Sequence, residues 1–326
     1  MTLESGPSAT GPILEVNDLA VSFGRGAWPA VRGLDFRLNP GEVVGLVGES
    51  GSGKSMTAYS LLGLLPFGAR LDRGSILFQG EDLALLPPKA RRNLLGRRLG
   101  MIFQEPLTAL NPVYSIGEQV AEIFRIRAGL NRKEARARAI ELLGQVGLPR
   151  PEGAYASYPH RFSGGMRQRV VIAMALALNP DLVIADEPTT ALDPTIAAQI
   201  IRLIQSLTAQ RGSAVLFITH NLRLLIGLAK RVLVMYHGLI VEELTDFQDL
   251  RHPYSQGLWR ALPPEPGTGA DRRLIPIPGQ APGPGELIPG CAFAPRCPQA
   301  QEICHRELPL LKTLAPARRV RCHLSC

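Results

Sequence analysis

The sequence predicts an α/β fold built on a mostly parallel sheet. Short apolar runs, typical of buried strands, alternate along the chain with stretches whose apolar residues recur at helical spacing. One such run, Val43 to Val47, leads through a glycine-rich loop into a helix-compatible stretch at Ser55 to Leu65. With 326 residues and a hydrophobic content of 45%, the chain is long enough for one large domain and a smaller appendage.

The other predicted strands follow in order along the chain. The N-terminal stretches Ile13 to Phe23 and Val31 to Leu38 alternate apolar and polar residues, which predicts an antiparallel β portion. Three later apolar runs predict buried strands of the main sheet, at Leu182 to Ala185, Ala214 to Thr219 and Val232 to Met235.

Two further regions define the predicted domain organisation. Residues 116–146 show helical spacing with a break near Asn131, so a helical subdomain is expected at about 107–161. Between Leu262 and Gly290, eight prolines and six glycines predict an irregular linker. The predicted organisation is an N-terminal tail at 1–12, a main domain at 13–245 and a C-terminal extension at 246–326 that contains a group of cysteines.

Composition and charge argue against several classes of protein. No apolar run approaches the roughly 18 to 20 residues that cross a bilayer. Residues 1–12 lack the basic start and apolar run of a secretory signal, so we expect the chain in the cytoplasm. The net charge of +8 is spread along the chain and does not by itself indicate a nucleic-acid partner.

The glycine-rich loop fits the pattern of a phosphate-binding loop. Its residues are Gly48, Glu49, Ser50, Gly51, Ser52, Gly53, Lys54 and Ser55. The glycines let backbone N–H groups turn toward phosphate oxygens, and the N-terminus of the following helix favours negative charge. Lys54 is suited to neutralise the β and γ phosphates, and Ser55 is suited to coordinate Mg²⁺. A chance glycine-rich turn is the alternative, which the order of strand, loop and helix disfavours. The expected ligands are ATP and Mg²⁺.

Two adjacent carboxylates, Asp186 and Glu187, follow the apolar run at Leu182 to Ala185. At the end of a buried strand, Asp186 can hold Mg²⁺, usually through water, while Glu187 can accept a proton from the water that attacks the γ phosphate. A solvent-facing acidic pair is the alternative in isolation. Beside a phosphate-binding loop, the catalytic interpretation is favoured.

The stretch Phe162 to Arg169 reads Phe-Ser-Gly-Gly-Met-Arg-Gln-Arg and resembles the signature sequence of ABC ATPases. Ser163, Gly164 and Gly165 open a predicted helix, where a hydroxyl and backbone N–H groups form an anion site. In that family two ATPase domains close head to tail, so the signature of one covers the γ phosphate at the phosphate loop, or Walker A motif, of the other. The resemblance therefore implies a second ABC ATPase subunit, related or identical to this chain.

The remaining motifs of the family match in the same order. Gln104 corresponds to the glutamine loop, which links the metal, the attacking water and the transporter, and gives a third expected Mg²⁺ ligand. Asp193 corresponds to the loop that couples the two ATP sites, and His220 corresponds to the histidine that senses the γ phosphate. Phe23 stands where the family places an aromatic residue against adenine. A core position for Phe23 is the alternative, with Trp28 as a substitute for stacking.

A second resemblance narrows the subfamily. The segment His252 to Pro263 and the cysteine-containing tail are similar to the C-terminal extension of oligopeptide, dipeptide and nickel importers. By that resemblance, four cysteines are expected to hold an iron-sulfur cluster, [4Fe-4S]: Cys291, Cys297, Cys304 and Cys322. Their spacing does not match the tight pairs of common zinc sites. Zinc, reduced thiols and disulfides formed on isolation remain alternatives.

These resemblances imply an ATP-hydrolysing subunit of an ABC importer for di- or oligopeptides, at the cytoplasmic face of the cell (inner) membrane. The implied partners are two transmembrane permease subunits and an extracytoplasmic substrate-binding protein, and no nucleic acid is expected. An importer for nickel or another small solute is one alternative. A soluble ABC ATPase acting on ribosomes or nucleic acid is a weaker one, because such factors usually carry two cassettes in one chain.

Overall fold

Two β-sheets organise the computed structural model, which describes residues 11–24, 28–262, 275–283 and 285–324. The strands are β1 (Leu14–Phe23), β2 (Trp28–Leu38), β3 (Val43–Val47), β4 (Ala69–Phe78), β5 (Glu81–Asp82), β6 (Leu99–Ile102), β7 (Leu182–Asp186), β8 (Ala214–Thr219), β9 (Arg231–Tyr236), β10 (Leu239–Leu244), β11 (Lys312–Ala315) and β12 (Arg318–Val320). The smaller sheet has four strands in the order β2-β1-β4-β5, and the larger has eight in the order β11-β12-β10-β9-β3-β8-β7-β6.

The centre of the larger sheet is parallel and buried on both faces. Strands β6, β7, β8, β3 and β9 pair in parallel, and β7, β8 and β9 are buried along their whole length. Alternate side chains enter two separate cores: Val183 and Ala185 belong to one, Leu182 and Ile184 to the other. Burial on both faces explains why these strands read as continuous apolar runs in the sequence. The α/β prediction is confirmed.

The smaller sheet supplies the antiparallel portion. Strand β1 pairs antiparallel with β2 and with β4, and the register places Phe23 opposite Trp28 at one end. Apolar side chains from β1 and β2 pack against one face of the larger sheet. In β2, Leu34 to Leu38 alternate buried and exposed residues, as expected of a strand with one face on the core, whereas Leu19 to Ser22 of β1 are buried at every position.

The helices are α1 (Lys54–Leu62), α2 (Pro88–Leu94), α3 (Pro106–Ala109), α4 (Ile116–Ala128), α5 (Arg132–Gln145), α6 (Pro151–Ala156), α7 (Gly164–Leu176), α8 (Pro194–Arg211), α9 (Pro253–Arg260) and α10 (Glu302–Arg306). The expected break near Asn131 has a local cause. Gly129 ends α4 at a φ of 71°, and Asn131 forms a capping box with Glu134 at the start of α5.

The C-terminal residues add two strands to the main sheet, which the sequence pattern does not predict. Strand β12 pairs antiparallel with β10, with Glu242 opposite Val320 and Glu243 opposite Arg319, and β11 pairs with β12. The described part of the expected linker, residues 275–283 and 285–290, contains no helix or strand. Residues 263–274 and residue 284 of that linker lie outside the described part. The pairing of β12 with β10 joins the last part of the C-terminal extension to the main sheet.

Within the described ranges, no helix has both the length and the apolar character required to cross a membrane.

Candidate active site

The phosphate-binding loop connects β3 to α1 at the carboxyl edge of the parallel strands. Gly51 and Gly53 have φ values of 79° and 108°, a region that L side chains rarely adopt. A side chain at Gly48 would lie 2.1 Å from the carbonyl oxygen of Met235, and one at Gly53 would lie 2.5 Å from that of Ala30. Gly51 and Gly53 are therefore required for the conformation of the loop. Gly48 and Gly53 are required because a side chain there would clash with the neighbouring backbone.

Lys54 is buried beneath the loop, with a side chain that is only 5% exposed. Its Nζ donates to the carbonyl oxygens of Gly48 at 2.8 Å and Glu49 at 2.9 Å, and lies 3.8 Å from a carboxylate oxygen of Glu187. Burial lowers the pKa of Lys54, and the negative charges of Glu187 and Asp186 oppose that shift. The ammonium group is thus held at the loop, among acceptors that phosphate oxygens can replace.

Asp186 lies at the end of β7 with 1% of its surface exposed. Neither of its carboxylate oxygens has a hydrogen-bond partner of good geometry among the described residues, although the Ser55 hydroxyl is near enough to stabilise the ionised form. Burial raises the pKa of this carboxyl, as does the neighbouring charge of Glu187, while the Ser55 side chain and Lys54 lower it. A buried carboxylate without partners is costly unless a cation compensates it, so Asp186 fits a Mg²⁺ site.

Glu187 is at the centre of a group of polar side chains. Its Oε2 accepts hydrogen bonds from the Thr190 hydroxyl at 2.9 Å and from Gln104 Nε2 at 3.3 Å, and lies 3.1 Å from His220 Nδ1. The hydrogen bond with His220 lowers the pKa of Glu187 and raises that of His220. Glu187 also has a φ of 44°, a strained value for a non-glycine residue that is typical of functional sites.

A cavity of about 720 Å³ brings most of the predicted ATP-site residues together. Nine of them line it: Phe23, Ser50, Gly51, Gly53, Lys54, Ser55, Gln104, Glu187 and His220. Gly48, Ser52 and Asp186 do not line the cavity, and all three are buried. Trp28 also lines the cavity and is 55% exposed, so both aromatic candidates for stacking are present at the same end of the β1 and β2 pair.

The signature residues lie away from this cavity. Ser163 caps α7 by accepting a hydrogen bond from the Met166 N–H at 3.4 Å, and Asp193 caps α8 by accepting one from the Ile196 N–H at 2.9 Å. A side chain at Gly165 would come within 2.7 Å of Ile196, so the two helix N-termini are neighbours. Ser163, Gly164 and Asp193 are exposed and do not line the ATP cavity of their own chain.

The four tail cysteines are free thiols. The Cys291 N–H donates to the Cys304 carbonyl at 2.8 Å, and Cys291 lies within electrostatic reach of Cys297, Cys304 and Cys322. Four thiols match the donors of an iron-sulfur cluster. However, no group of three or more His, Cys, Asp or Glu side chains in the described ranges has a geometry suited to a metal ion. The four thiols are therefore suitable donors for an iron-sulfur cluster, but their arrangement in the structure is not that of a metal site. The cluster stays a prediction.

Several residues at the site were not expected from the sequence. Thr190 contacts Glu187, and Tyr254 and Arg296 contact Glu49 in the phosphate-binding loop. Arg296 is separated from Glu49 by 247 positions. A threonine three residues after the carboxylate pair is a weak local signal, and no local pattern could have identified the other two.

Comparisons with known proteins agree with this geometry. The chain matches the family model described as ABC transporter over residues 31–190, and the one described as oligopeptide/dipeptide transporter, C-terminal region, over residues 243–304. The dipeptide transport ATP-binding protein DppD of Escherichia coli is 45% identical over 317 residues, with 95% of this chain and 96% of DppD covered. The oligopeptide transport ATP-binding protein AppD of Bacillus subtilis is 47% identical over 318 residues, with 96% of each chain covered.

A comparison with solved structures also identifies the fold as that of an ATP-binding cassette. The ATP-binding cassette MJ0796, in a dimeric post-hydrolysis state bound to ADP and Pi, superimposes with a TM-score of 0.63 at 27% identity. The match covers 71% of this chain and 98% of MJ0796. Taken with the cavity and its residues, these matches show that the chain belongs to the ABC transporter family, as an ATP-binding subunit of its oligopeptide/dipeptide branch.

Proposed function

We propose that this chain binds and hydrolyses ATP to power the uptake of di- or oligopeptides across the cytoplasmic membrane. The proposal rests on two features that occur together in this chain. Glu187 lies between Lys54 and His220 in an ATP-sized cavity, and a C-terminal region of the peptide-transporter type packs beside that cavity. The cavity accounts for hydrolysis. The C-terminal region and the named relatives support peptides as cargo.

ATP binding rests on the phosphate-binding loop. The N–H groups around Ser50, Gly51 and Gly53 and the N-terminus of α1 receive the phosphate oxygens. Lys54 exchanges its contacts with the carbonyl oxygens of Gly48 and Glu49 for the β and γ phosphates. Phe23 stacks on the adenine at the other end of the cavity.

Hydrolysis rests on Glu187 as the general base. Its lowered pKa keeps the carboxylate ionised at neutral pH, so that it can accept a proton from the water that attacks the γ phosphate. Gln104 and His220 hold the same carboxylate from two sides and reach the cavity themselves. We assign Gln104 to orienting the water and His220 to contact with the γ phosphate.

Ser55, Gln104 and Asp186 are the residues proposed to hold Mg²⁺. Ser55 and Gln104 line the cavity, and Asp186 offers the buried carboxylate that lacks a partner. When bound, the ion would supply positive charge that neutralises the negative charge developing on the phosphates.

A second ATPase subunit completes the site. Ser163, Gly164, Gly165 and Asp193 do not line the chain's own cavity, and they lie at the N-termini of α7 and α8. We propose that they cover the ATP held by a related or identical partner subunit, whose signature in turn covers the ATP held here. The dimeric state of the cassette MJ0796 supports this arrangement.

The complete transporter requires membrane subunits. We propose two transmembrane permeases, contacted through the Gln104 region, and an extracytoplasmic substrate-binding protein, with this chain peripheral at the cytoplasmic face of the inner membrane and no nucleic acid involved. The proposed divisions are a tail at 1–12, an ATPase domain at 13–245 with its helical subdomain at 107–161, and a C-terminal extension at 246–326. We propose a [4Fe-4S] cluster in that extension on the donor set alone: Cys291, Cys297, Cys304 and Cys322 are free thiols, although their described positions do not form a ligating geometry.

Uptake by the assembled transporter in proteoliposomes tests the proposed cargo. Vesicles containing ATP should accumulate labelled dipeptides or longer peptides, and vesicles with the Glu187→Gln chain should not. Uptake of Ni²⁺ without peptide uptake would contradict the peptide assignment and favour the nickel alternative. Hydrolysis without uptake of either solute would contradict both importer assignments.

A further inference from the structure

The C-terminal extension touches the phosphate-binding loop directly. The Arg296 guanidinium forms two hydrogen bonds with the Glu49 carboxylate, at 2.6 Å from Nη1 and 3.0 Å from Nη2. The Glu49 N–H donates to the Tyr254 hydroxyl at 2.8 Å. Both the side chain and the backbone of one loop residue are therefore held by residues from outside the ATPase domain.

Arg296 is itself fixed in place. Its side chain is 6% exposed, its Nε donates to the Pro278 carbonyl at 2.9 Å, and its Nη1 also donates to the Tyr236 hydroxyl at 3.2 Å. An arginine that is buried and hydrogen-bonded at several atoms has little conformational freedom. It can therefore fix the orientation of the carboxylate that it binds through two hydrogen bonds. Arg296 acts as a rigid support and not as a mobile surface charge.

An aromatic cluster connects this support to the main sheet. The ring of Tyr236, at the end of β9, lies 4.5 Å from that of Tyr254 and 5.3 Å from that of Phe293. All three side chains are almost fully buried. Tyr254 belongs to α9 and Phe293 to the tail, so the cluster joins the extension to the strand beside β3. Close aromatic packing of this kind is directional and resists displacement.

The extension also reaches the opposite end of the ATP cavity. Pro282, Gly283 and Gly285 line the cavity, and a side chain at Gly285 would lie 2.5 Å from a ring carbon of Trp28. His237 Nε2 lies 2.8 Å from the Glu286 carbonyl oxygen, which anchors that segment. The extension thus contacts the cavity near the phosphate-binding loop and near the aromatic residues.

We infer that Arg296 and Tyr254 are positioning residues for ATP: by holding Glu49, the docked extension sets the conformation of the phosphate-binding loop and so the affinity for the nucleotide. This inference rests on the proposed role of the loop. In this view the C-terminal extension, which is typical of the subfamily, also contributes to ATP binding. Neither residue touches the phosphates, and the effect passes through Glu49.

Calorimetry of the full-length chain with Mg²⁺ and a non-hydrolysable ATP analogue tests the inference. Arg296→Gln should weaken binding on the order of tenfold, the loss that one charge-assisted hydrogen bond commonly causes, and Tyr254→Phe about fivefold, because its hydrogen bond with the Glu49 N–H joins neutral groups. Tyr254→Phe keeps the ring and removes only the hydroxyl, so the aromatic cluster stays intact. In the assembled transporter both variants should raise KM for ATP and leave kcat nearly unchanged, since neither residue meets the transition state.

Two further comparisons separate positioning from general stability. The double variant Glu49→Gln with Arg296→Gln should bind no more weakly than Arg296→Gln alone, because the two residues act through one contact. The exposed pair of Arg306 and Glu302 in the same extension provides the control, and Arg306→Gln should bind the analogue normally. Additive losses in the double variant would contradict the proposed coupling.

The outcome that overturns the inference is nucleotide affinity within twofold of the unchanged protein for Arg296→Gln and Tyr254→Phe, even if their melting temperatures fall. That result would make the contacts structural only. Lys54→Ala distinguishes this failure from failure of the proposed function. If Lys54→Ala abolishes analogue binding while the two extension variants do not weaken it, the loop assignment stands and the positioning role does not. If Lys54→Ala binds normally, the loop assignment itself is wrong.

Discussion

The Nδ1 atom of His220 lies 3.1 Å from the Oε2 atom of Glu187, and both residues line the ATP cavity. His220 follows β8 and Glu187 follows β7, and these strands are parallel neighbours in the main sheet. Adjacent parallel strands end at the same edge, so two residues that are 33 positions apart become direct partners. Each stabilises the charged form of the other, which raises the pKa of His220 and lowers that of Glu187.

This pairing has a defined pH dependence. The stabilisation from His220 is complete below the ordinary histidine pKa and is lost as the pH rises through the raised value. The stabilisation from Glu187 is present above the ordinary carboxyl pKa and is lost as the pH falls through the lowered value. The ion pair therefore persists between the lowered pKa of Glu187 and the raised pKa of His220.

NMR titration of the histidine side chains in the free chain measures this pairing. His220 should titrate above the ordinary value, and Glu187→Gln should bring its pKa back down because the charged partner is gone. His237, whose Nε2 contacts the Glu286 carbonyl oxygen, serves as the internal control and should keep its burial-lowered pKa in the variant. An unchanged His220 pKa in Glu187→Gln would show that the two side chains do not pair in solution.

Replacing Asp186 with Asn should separate folding from metal binding. In the free chain the melting temperature should not fall, because the substitution removes a buried charge that has no hydrogen-bond partner. The additional stabilisation by Mg²⁺ with ATP should be lost, since stabilisation by a ligand follows its affinity. Thermal unfolding with ATP, with and without a chelator, gives both quantities. Full stabilisation of Asp186→Asn by Mg²⁺ with ATP would exclude Asp186 as a ligand.

Phe23 and Trp28 can be separated by parallel substitutions to alanine. Stacking on a base contributes about 1–3 kcal/mol, so Phe23→Ala should weaken ATP binding about 5- to 150-fold. Trp28→Ala should have a smaller effect if Phe23 is the stacking residue. Equilibrium binding of a fluorescent ATP analogue measures both variants. A larger loss in Trp28→Ala would assign stacking to the tryptophan and leave Phe23 as packing between the sheet and the cavity.

Analysis of metal and acid-labile sulfide tests the tail. Protein purified without oxygen should contain iron and sulfide in near-equal amounts, and Cys297→Ser should lose both because a four-cysteine cluster lacks a ligand. Cys326→Ser is the matched control, since Cys326 is not one of the four predicted ligands, and should retain them. Zinc in place of iron would support the zinc alternative, and absence of both metals would leave plain thiols.

The main sheet and the ATP-site residues follow from local patterns in the sequence. Val43 to Val47, Leu182 to Ala185 and Ala214 to Thr219 form strands at almost the predicted positions, because a strand buried on both faces must be apolar throughout. Lys54 could be placed because the glycine-rich loop after β3 leads to it, and Glu187 because it directly follows β7. The topology then brings them within 3.8 Å of each other.

The extension could not be predicted in the same way. Every residue of β11 is exposed, so Lys312–Ala315 shows no apolar alternation that would mark a strand. The contact of Arg296 with Glu49 depends on how the two ends of the chain pack together. No local sequence motif around either residue indicates the other as its partner. Long-range pairings of this kind become visible only when the packed structure is known.

Steady-state hydrolysis by the assembled transporter carrying Glu187→Gln tests the central claim most directly. The amide keeps the shape of the side chain but cannot accept a proton, so kcat should fall about 10²- to 10⁴-fold while ATP remains bound and can be recovered from the protein. Glu302→Gln, an exposed glutamate of the extension, is the matched control and should turn over normally. Turnover by Glu187→Gln at the rate of the unchanged transporter would contradict the assignment of Glu187 as the base and the mechanism built on it.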